Sequence, residues 1–181
     1  MDDFVQLFEE EIKKRFTLVS LLPNTQSEAK LKEFLRKNKG MVLSPRKKFH
    51  TTLHYAVENP LFKREGIVQQ IRLALPITLL PETYSFEVFG GSLVLKYENP
   101  TIRNLHGLLL EEGLRQLVCE FPGINAQEKR IFKEYISQRR SIVYGSFNQH
   151  ISLARKFDPS NLEALSEFKE ELTFDNFDWK I

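Results

Sequence analysis

Apolar and polar residues alternate along this chain in two rhythms, one of three to four residues and one of two. Residues 2–14 space Phe4, Val5, Leu7, Phe8 and Ile12 as on one helical face, which predicts an amphipathic helix. Phe16 to Leu22 is an apolar run stopped by Pro23-Asn24 and reads as a strand. Ser27 to Asn38 returns to helical spacing with Ala29, Leu31, Phe34 and Leu35, and Gly40 ends it. From Lys48 to Val57 the period is two. Phe49, Leu53, Tyr55 and Val57 form an apolar face, whereas Lys48, His50, Thr52 and His54 form a polar one. This predicts a half-buried strand with Tyr55 in the core and His54 beside His50 on the outer face.

The second half continues in the same manner. Leu61 to Leu75 predicts a third helix. Tyr84 to Val88 and Ser92 to Tyr97 predict a strand pair around Gly90-Gly91. Asn99-Pro100 opens a long helix through Ile102, Leu105, Leu109, Leu114 and Leu117 to about Phe121, where Pro122-Gly123 breaks it. Residues 124–145 interleave Lys129, Arg130, Lys133, Arg139 and Arg140 with apolar side chains, and the pattern assigns them no element. Phe147 to Ala154 is a second period-two strand, with Asn148, His150 and Ser152 on its polar face. By the same parity Arg155 falls on the opposite face. Asp158-Pro159 predicts a helix start continued by Leu162, Leu165 and Phe168. Residues 172–181 predict a last strand. Helices and strands alternate but hairpins also occur, so the fold class is α+β with antiparallel pairing.

Composition narrows the picture. A chain of 181 residues, 41% apolar and with 15 phenylalanines, can bury one substantial core. The net charge of +2 neither demands nor excludes an anionic ligand, because the local field decides. The single cysteine, Cys119, cannot form an internal disulfide and reads as a buried thiol in the long helix, which suits a reducing, cytoplasmic setting. The acidic N-terminus shows no signal-peptide pattern, and no apolar run approaches the ~20 residues of a membrane span.

The two polar strand faces share a pattern. His50-Thr51-Thr52-Leu53 and His150-Ile151-Ser152-Leu153 both read His, any residue, hydroxyl residue, Leu. Residues two apart on a strand share a face, so each copy presents an imidazole and a hydroxyl side by side. Cleavage of a phosphodiester needs a base for the attacking oxygen, an acid for the leaving oxygen and donors for the non-bridging oxygens. Two imidazoles titrating near neutrality can serve as base and acid, and Thr52 and Ser152 can donate to the phosphate. The sequence has no tight His/Asp/Glu cluster, so neither metal nor other cofactor is expected. His106, inside the long helix, reads as structural.

These residues, within Phe49-His50-Thr51-Thr52-Leu53 and His150-Ile151-Ser152-Leu153-Ala154-Arg155, resemble the motifs of the 2H phosphoesterase superfamily. Thr51 departs from the apolar residue usual at its position, and Ser152 replaces the commoner threonine. The element order from residue 16 to 181 fits the resemblance, and the helix at 1–14 is extra. The resemblance implies a single bilobal domain over 1–181, with two pseudo-symmetric lobes, antiparallel sheets lining a central groove and helices packed outside. It implies His50 and His150 as the acid/base pair, with Thr52 and Ser152 as phosphate donors. Lys48, Tyr97, Tyr144, Phe147 and Arg155 are candidates for substrate binding, and 129–144 for a lid. The implied activity is metal-independent cleavage of a small nucleotide, either a cyclic oligonucleotide signal, as in phage anti-CBASS enzymes, or a 2′,5′-linked oligoadenylate. An enzyme acting on 2′,3′-cyclic phosphate ends of RNA and a non-catalytic nucleotide-binding module are the alternatives. The expected protein is a monomer without an obligate protein partner or a membrane.

Overall fold

A computed structural model describes residues 17–56, 61, 63–120, 126, 127, 130 and 147–180. Its elements in chain order are β1 (Thr17–Pro23), α1 (Thr25–Lys37), β2 (Ser44–Pro45), β3 (Thr51–Ala56), α2 (Glu65–Ala74), β4 (Ile77–Leu79), β5 (Ser85–Phe89), β6 (Ser92–Lys96), α3 (Pro100–Glu120), β7 (His150–Arg155) and β8 (Leu172–Lys180). The strands form one curled antiparallel sheet in the order β4-β8-β1-β3-β7-β6-β5, and β2 also pairs with β7. The two strands bearing the repeated pattern are therefore neighbours at the centre. Among the described residues no helix is long and apolar enough to cross a membrane. The expected helix at 2–14 and the stretch 131–145 lie outside the described residues, as does the side chain of Cys119.

Local sequence explains the elements. Asn24 stops β1 and caps α1, its side-chain oxygen accepting from the Ser27 amide at 2.8 Å. The helix then buries Leu31, Phe34 and Leu35 at helical spacing. Asn99 caps α3 in the same way, accepting from the Ile102 amide at 3.1 Å, and Pro100 follows at the first helical position. Gly90 and Gly91 both adopt positive φ, 54° and 80°, as a tight two-residue hairpin between β5 and β6 requires. One sheet face buries Val19, Leu21, Thr51, Leu53, Leu93, Leu95, Ile151 and Leu153. Leu31, Ile71, Ile102 and Leu109 of the helices complete that core.

Three sequence expectations change. The helix expected after Pro159 is a 3-10 turn over Pro159–Ala164. Ser160 and Asn161 are weak helix formers. Asn38 then binds Ser166 twice, to its amide at 3.0 Å and its hydroxyl at 2.8 Å, and draws the chain along α1. The strand expected from Lys48 begins only at Thr51. Chain 44–51 touches β7 at Ser44↔Arg155 and Pro45↔Ala154, leaves it, and returns at Thr51↔Ile151. Five residues, Arg46 to His50, thus span what Ser152 and Leu153 span on the partner, and they swing out of the sheet. The short strands β2 and β4 carry too little pattern to be anticipated.

The third change is a pair of matched bulges. Against β1, Val19 pairs with His54 and Ser20 with Thr52, which skips Leu53. Against β6, Leu93 pairs with Ala154 and Val94 with Ser152, which skips Leu153. Both bulges fall directly after the hydroxyl residue of the pattern. A bulge turns two successive residues to one side and reverses the facing beyond it. Leu53 and His54 are consequently both buried, as are Leu153 and Ala154. Tyr55 and Arg155, expected on the buried side, emerge exposed on the face of the motif histidines.

His54, expected beside His50, therefore points into the core. Burial, then the neighbouring His106, lowers its pKa to about 4. The unfolded chain takes up this proton near pH 6.5, so stability from neutral His54 is full above that pH and is lost as pH falls toward 4. The slope is about 1.4 kcal/mol per pH unit. Urea midpoints between pH 7 and 4.5 should fall more steeply for the wild type than for His54→Met, and parallel pH dependences would contradict this.

Candidate active site

Antiparallel pairing of Thr51 with Ile151 fixes the site. Thr52, the next residue of β3, lies across from His150, and His50 is the last residue of the excursion, immediately before the paired Thr51. The two imidazoles lie near one another, since His150 is among the groups that lower the pKa of His50. Thr51 and Ile151 point the other way and are fully buried, while His50, Thr52, His150 and Ser152 all retain solvent contact. The four residues expected to be catalytic all stay open to solvent where the two motif strands meet.

Each histidine has its own surroundings. The Nδ1 of His150 lies 2.8 Å from the Asn148 carbonyl. A carbonyl only accepts, so Nδ1 carries the proton and Nε2 is left for a ligand. Phe89 meets the His150 ring edge-on at 5.4 Å. Lys96 is the register partner of His150 on β6, and its ammonium lies 3.3 Å from Glu87 and 5.8 Å from the centre of the Phe89 ring. Next to His150, the buried Gln149 accepts from the Asn99 amide at 3.0 Å and donates to Glu98 at 3.1 Å. The start of α3 is thereby tied to the β7 motif.

His50 sits in a field of positive charge. Partial burial, then Arg46, Lys180 and His150, lower its pKa below the ordinary histidine value, and Asp178 opposes them. It is therefore neutral at pH 7 and able to accept a proton. Asp178 reaches this face because β8 pairs it with Ser20, which in turn pairs with Thr52. Lys180 lies further along β8, across from Leu18. Arg46 lies on the excursion before β3, its amide donating to the Leu153 carbonyl at 2.8 Å. Among the described residues no group of three or more His, Cys, Asp or Glu side chains could hold a metal ion.

Thr51, which departs from the usual apolar residue, has a structural role here. Its hydroxyl donates to the His150 carbonyl at 2.9 Å and accepts from the Tyr97 hydroxyl at 2.5 Å. The two motif strands are thereby joined through a buried side chain.

The expected binding residues fare unevenly. Tyr97 is 2% exposed and belongs to the core, so it offers no base-stacking surface; burial raises its pKa. Phe147 stacks on His106, centroids 3.7 Å apart, with the Arg103 guanidinium 5.9 Å from the ring centre, so His106 covers one of its faces. His106 is structural as expected, its Nδ1 lying 2.7 Å from the Leu53 carbonyl. Lys48 is exposed on the excursion, where strand parity no longer applies. Arg155 moves onto the motif face through the bulge. Tyr144 and most of the expected lid lie outside the described residues. Sequence reasoning missed Arg46, Phe89, Lys96, Asp178 and Lys180. The alternation of Asn176, Asp178 and Lys180 with Phe177 and Trp179 was the one usable signal, and it gave no partner strand.

No family model matches the chain, and no curated protein does. Solved structures do. E. coli LigT complexed with 3′-AMP superposes with a TM-score of 0.51 at 12% identity, over 91% of this chain and 85% of that one. LigT in its apo form gives 0.51 at 13% identity, over 91% and 86%. TT0787 of Thermus thermophilus gives 0.48 at 19% identity, over 91% and 86%.

Two outcomes test this geometry. Thr51→Val leaves the Tyr97 hydroxyl buried without its partner and should cost about 1–3 kcal/mol in chemical denaturation, whereas Tyr97→Phe combined with it should recover part of the loss. In NMR titration, Lys180→Ala should raise the His50 pKa by removing a positive neighbour, and Asp178→Asn should lower it further. Opposite signs would refute the arrangement around His50.

With helices on one face of an antiparallel sheet and the two His-x-hydroxyl strands adjacent at its centre, this chain has the fold of E. coli LigT.

Proposed function

We propose that the protein is a metal-independent phosphodiesterase acting on a small nucleotide or short oligonucleotide. One observation carries this reading: Thr51 pairs with Ile151 between the two motif strands, and His50, Thr52, His150 and Ser152 beside that pair all retain solvent contact, which supports their acting on one phosphate. His50, held neutral, is the general base that takes the proton from the attacking oxygen, either water or the free neighbouring ribose hydroxyl, which is the 2′ on a 3′,5′ linkage and the 3′ on a 2′,5′ linkage. His150, in its protonated form, is the general acid that returns a proton to the leaving oxygen, with its Nδ1–H fixed on the Asn148 carbonyl. The Thr52 and Ser152 hydroxyls donate to the non-bridging oxygens, where negative charge grows. Arg155, exposed just past the β7 bulge, offers a further positive charge for the ligand.

The LigT neighbour complexed with 3′-AMP supports a nucleotide ligand. Within that class the preferred substrates are a cyclic oligonucleotide signal or a 2′,5′-linked oligoadenylate, which would make the protein an agent that removes a nucleotide alarm. The second reading, opening of 2′,3′-cyclic phosphate ends on RNA, uses the same four groups with water as the nucleophile.

The test is incubation with cyclic dinucleotides and trinucleotides, 2′,5′-oligoadenylates and 2′,3′-cyclic mononucleotides in the presence of EDTA, with products identified by mass spectrometry. Cleavage should survive the chelator. His50→Ala and His150→Ala should each lower kcat about 10²–10⁴-fold, the usual share of a general acid or base. Ligand binding by the wild type without turnover of any of these substrates would reduce the protein to a binding module.

A further inference from the structure

The four groups at the centre serve one phosphate, yet a further cation lies beside them. Arg46 is held by its amide on the Leu153 carbonyl, beyond Ser152 and on the side of His50 away from Thr52. Its Nε is buried and has no hydrogen-bond partner among the described residues. No carboxylate among those residues pairs with it. Arg46 as a whole is part-exposed and only its Nε is both buried and unbonded, so the terminal N–H groups of the fork are the ones that face outward and match the oxygens of a phosphate. The rest of the excursion is of one sign, with exposed Lys47 and Lys48 following Arg46. Phe49, 4% exposed, anchors the segment in the core and fixes the position of Arg46 relative to His50.

We propose that Arg46 forms a second anion subsite, which takes a phosphate adjoining the one at the imidazoles, so that the substrate is a nucleotide with at least two phosphates spaced by a nucleoside. This rests on the nucleotide reading above and narrows it. An oligonucleotide presents such a neighbouring phosphate on every internal residue, whereas a 2′,3′-cyclic mononucleotide presents none. The excursion that replaces regular β3–β7 pairing is then the element that selects length. Lys180, in the same field around His50, lies toward the Tyr55 end of β3 and is not part of this subsite.

The test measures binding without turnover. Adenosine 3′,5′-bisphosphate, 3′-AMP and 5′-AMP are titrated calorimetrically into the wild type, Arg46→Ala and Arg46→Lys. The wild type should bind the bisphosphate about tenfold or more tightly than either monophosphate. In Arg46→Ala that preference should fall to about twofold or less, and Arg46→Lys should keep part of it as a point charge. A bisphosphate that binds no better than the monophosphates, or not at all, overturns the subsite. So does an Arg46→Ala variant that weakens all three ligands alike. Thermal melts of both variants separate loss of the site from loss of the fold. If the wild type shows this preference but cleaves nothing, the phosphodiesterase reading fails and the subsite stands; cleavage without the preference has the reverse meaning.

Discussion

Everything on the open face depends on one buried contact between two strands that lie a hundred residues apart in sequence. Thr51 and Ile151 pair at the centre of the sheet, and the Thr51 hydroxyl is fixed by the His150 carbonyl and the Tyr97 hydroxyl. A slip of one residue would turn every side chain of a motif strand to the other face. A hydroxyl in a dry interior must find partners, and its two partners here lie on β7 and at the end of β6. The contact therefore favours one register over its neighbours. The polar residue at a position usually apolar is what specifies the alignment of the imidazoles.

The fold around that contact is repeated in outline but not in detail. Each motif strand bulges at the residue after its hydroxyl, and each is flanked by one long partner, β1 or β6. The bulges exchange an inward for an outward residue, which brings Tyr55 and Arg155 into view and removes His54 from it. The flanks are unlike. Beside His50 lie Arg46, Lys180 and Asp178; beside His150 lie Lys96, Glu87 and Phe89. The two imidazoles thus sit in unlike electrostatic surroundings, cations and one carboxylate beside His50, an ion pair and an aromatic edge beside His150.

Much of this was legible in the sequence because short-range physics governs it. The helices from Ser27, Leu61 and Asn99, the Gly90-Gly91 hairpin and both motif strands follow from spacing, caps and turn residues. Parity also places His150 and Ser152 two apart within β7, whereas His50 lies just before β3 begins. Parity failed one step later, at Tyr55, His54 and Arg155, because a bulge is set by the neighbouring strand and leaves no mark in local alternation. The excursion at Arg46–His50 was hidden for the same reason: its ends are both fixed by β7, far away in sequence. The helix expected at Asp158 was lost to a tertiary bond, Asn38 with Ser166, which outweighs a good cap followed by weak helix formers. Asp178 and Lys180 were visible as polar positions, but only the order of strands shows that they approach His50.

The doubled bulge has a consequence for how a ligand could thread this face. The two strands run in opposite directions, so a half-turn about the Thr51–Ile151 pair exchanges one His-x-hydroxyl copy with the other. Such a centre cannot distinguish the 5′ side of a chain from its 3′ side. For the proposed nucleotide ligand, polarity would come from the unlike margins, cations and an acid on one bank, an aromatic ring and an ion-paired lysine on the other. Exchange of those margins, with the quartet left intact, would amount to reversing the direction in which the protein reads its ligand.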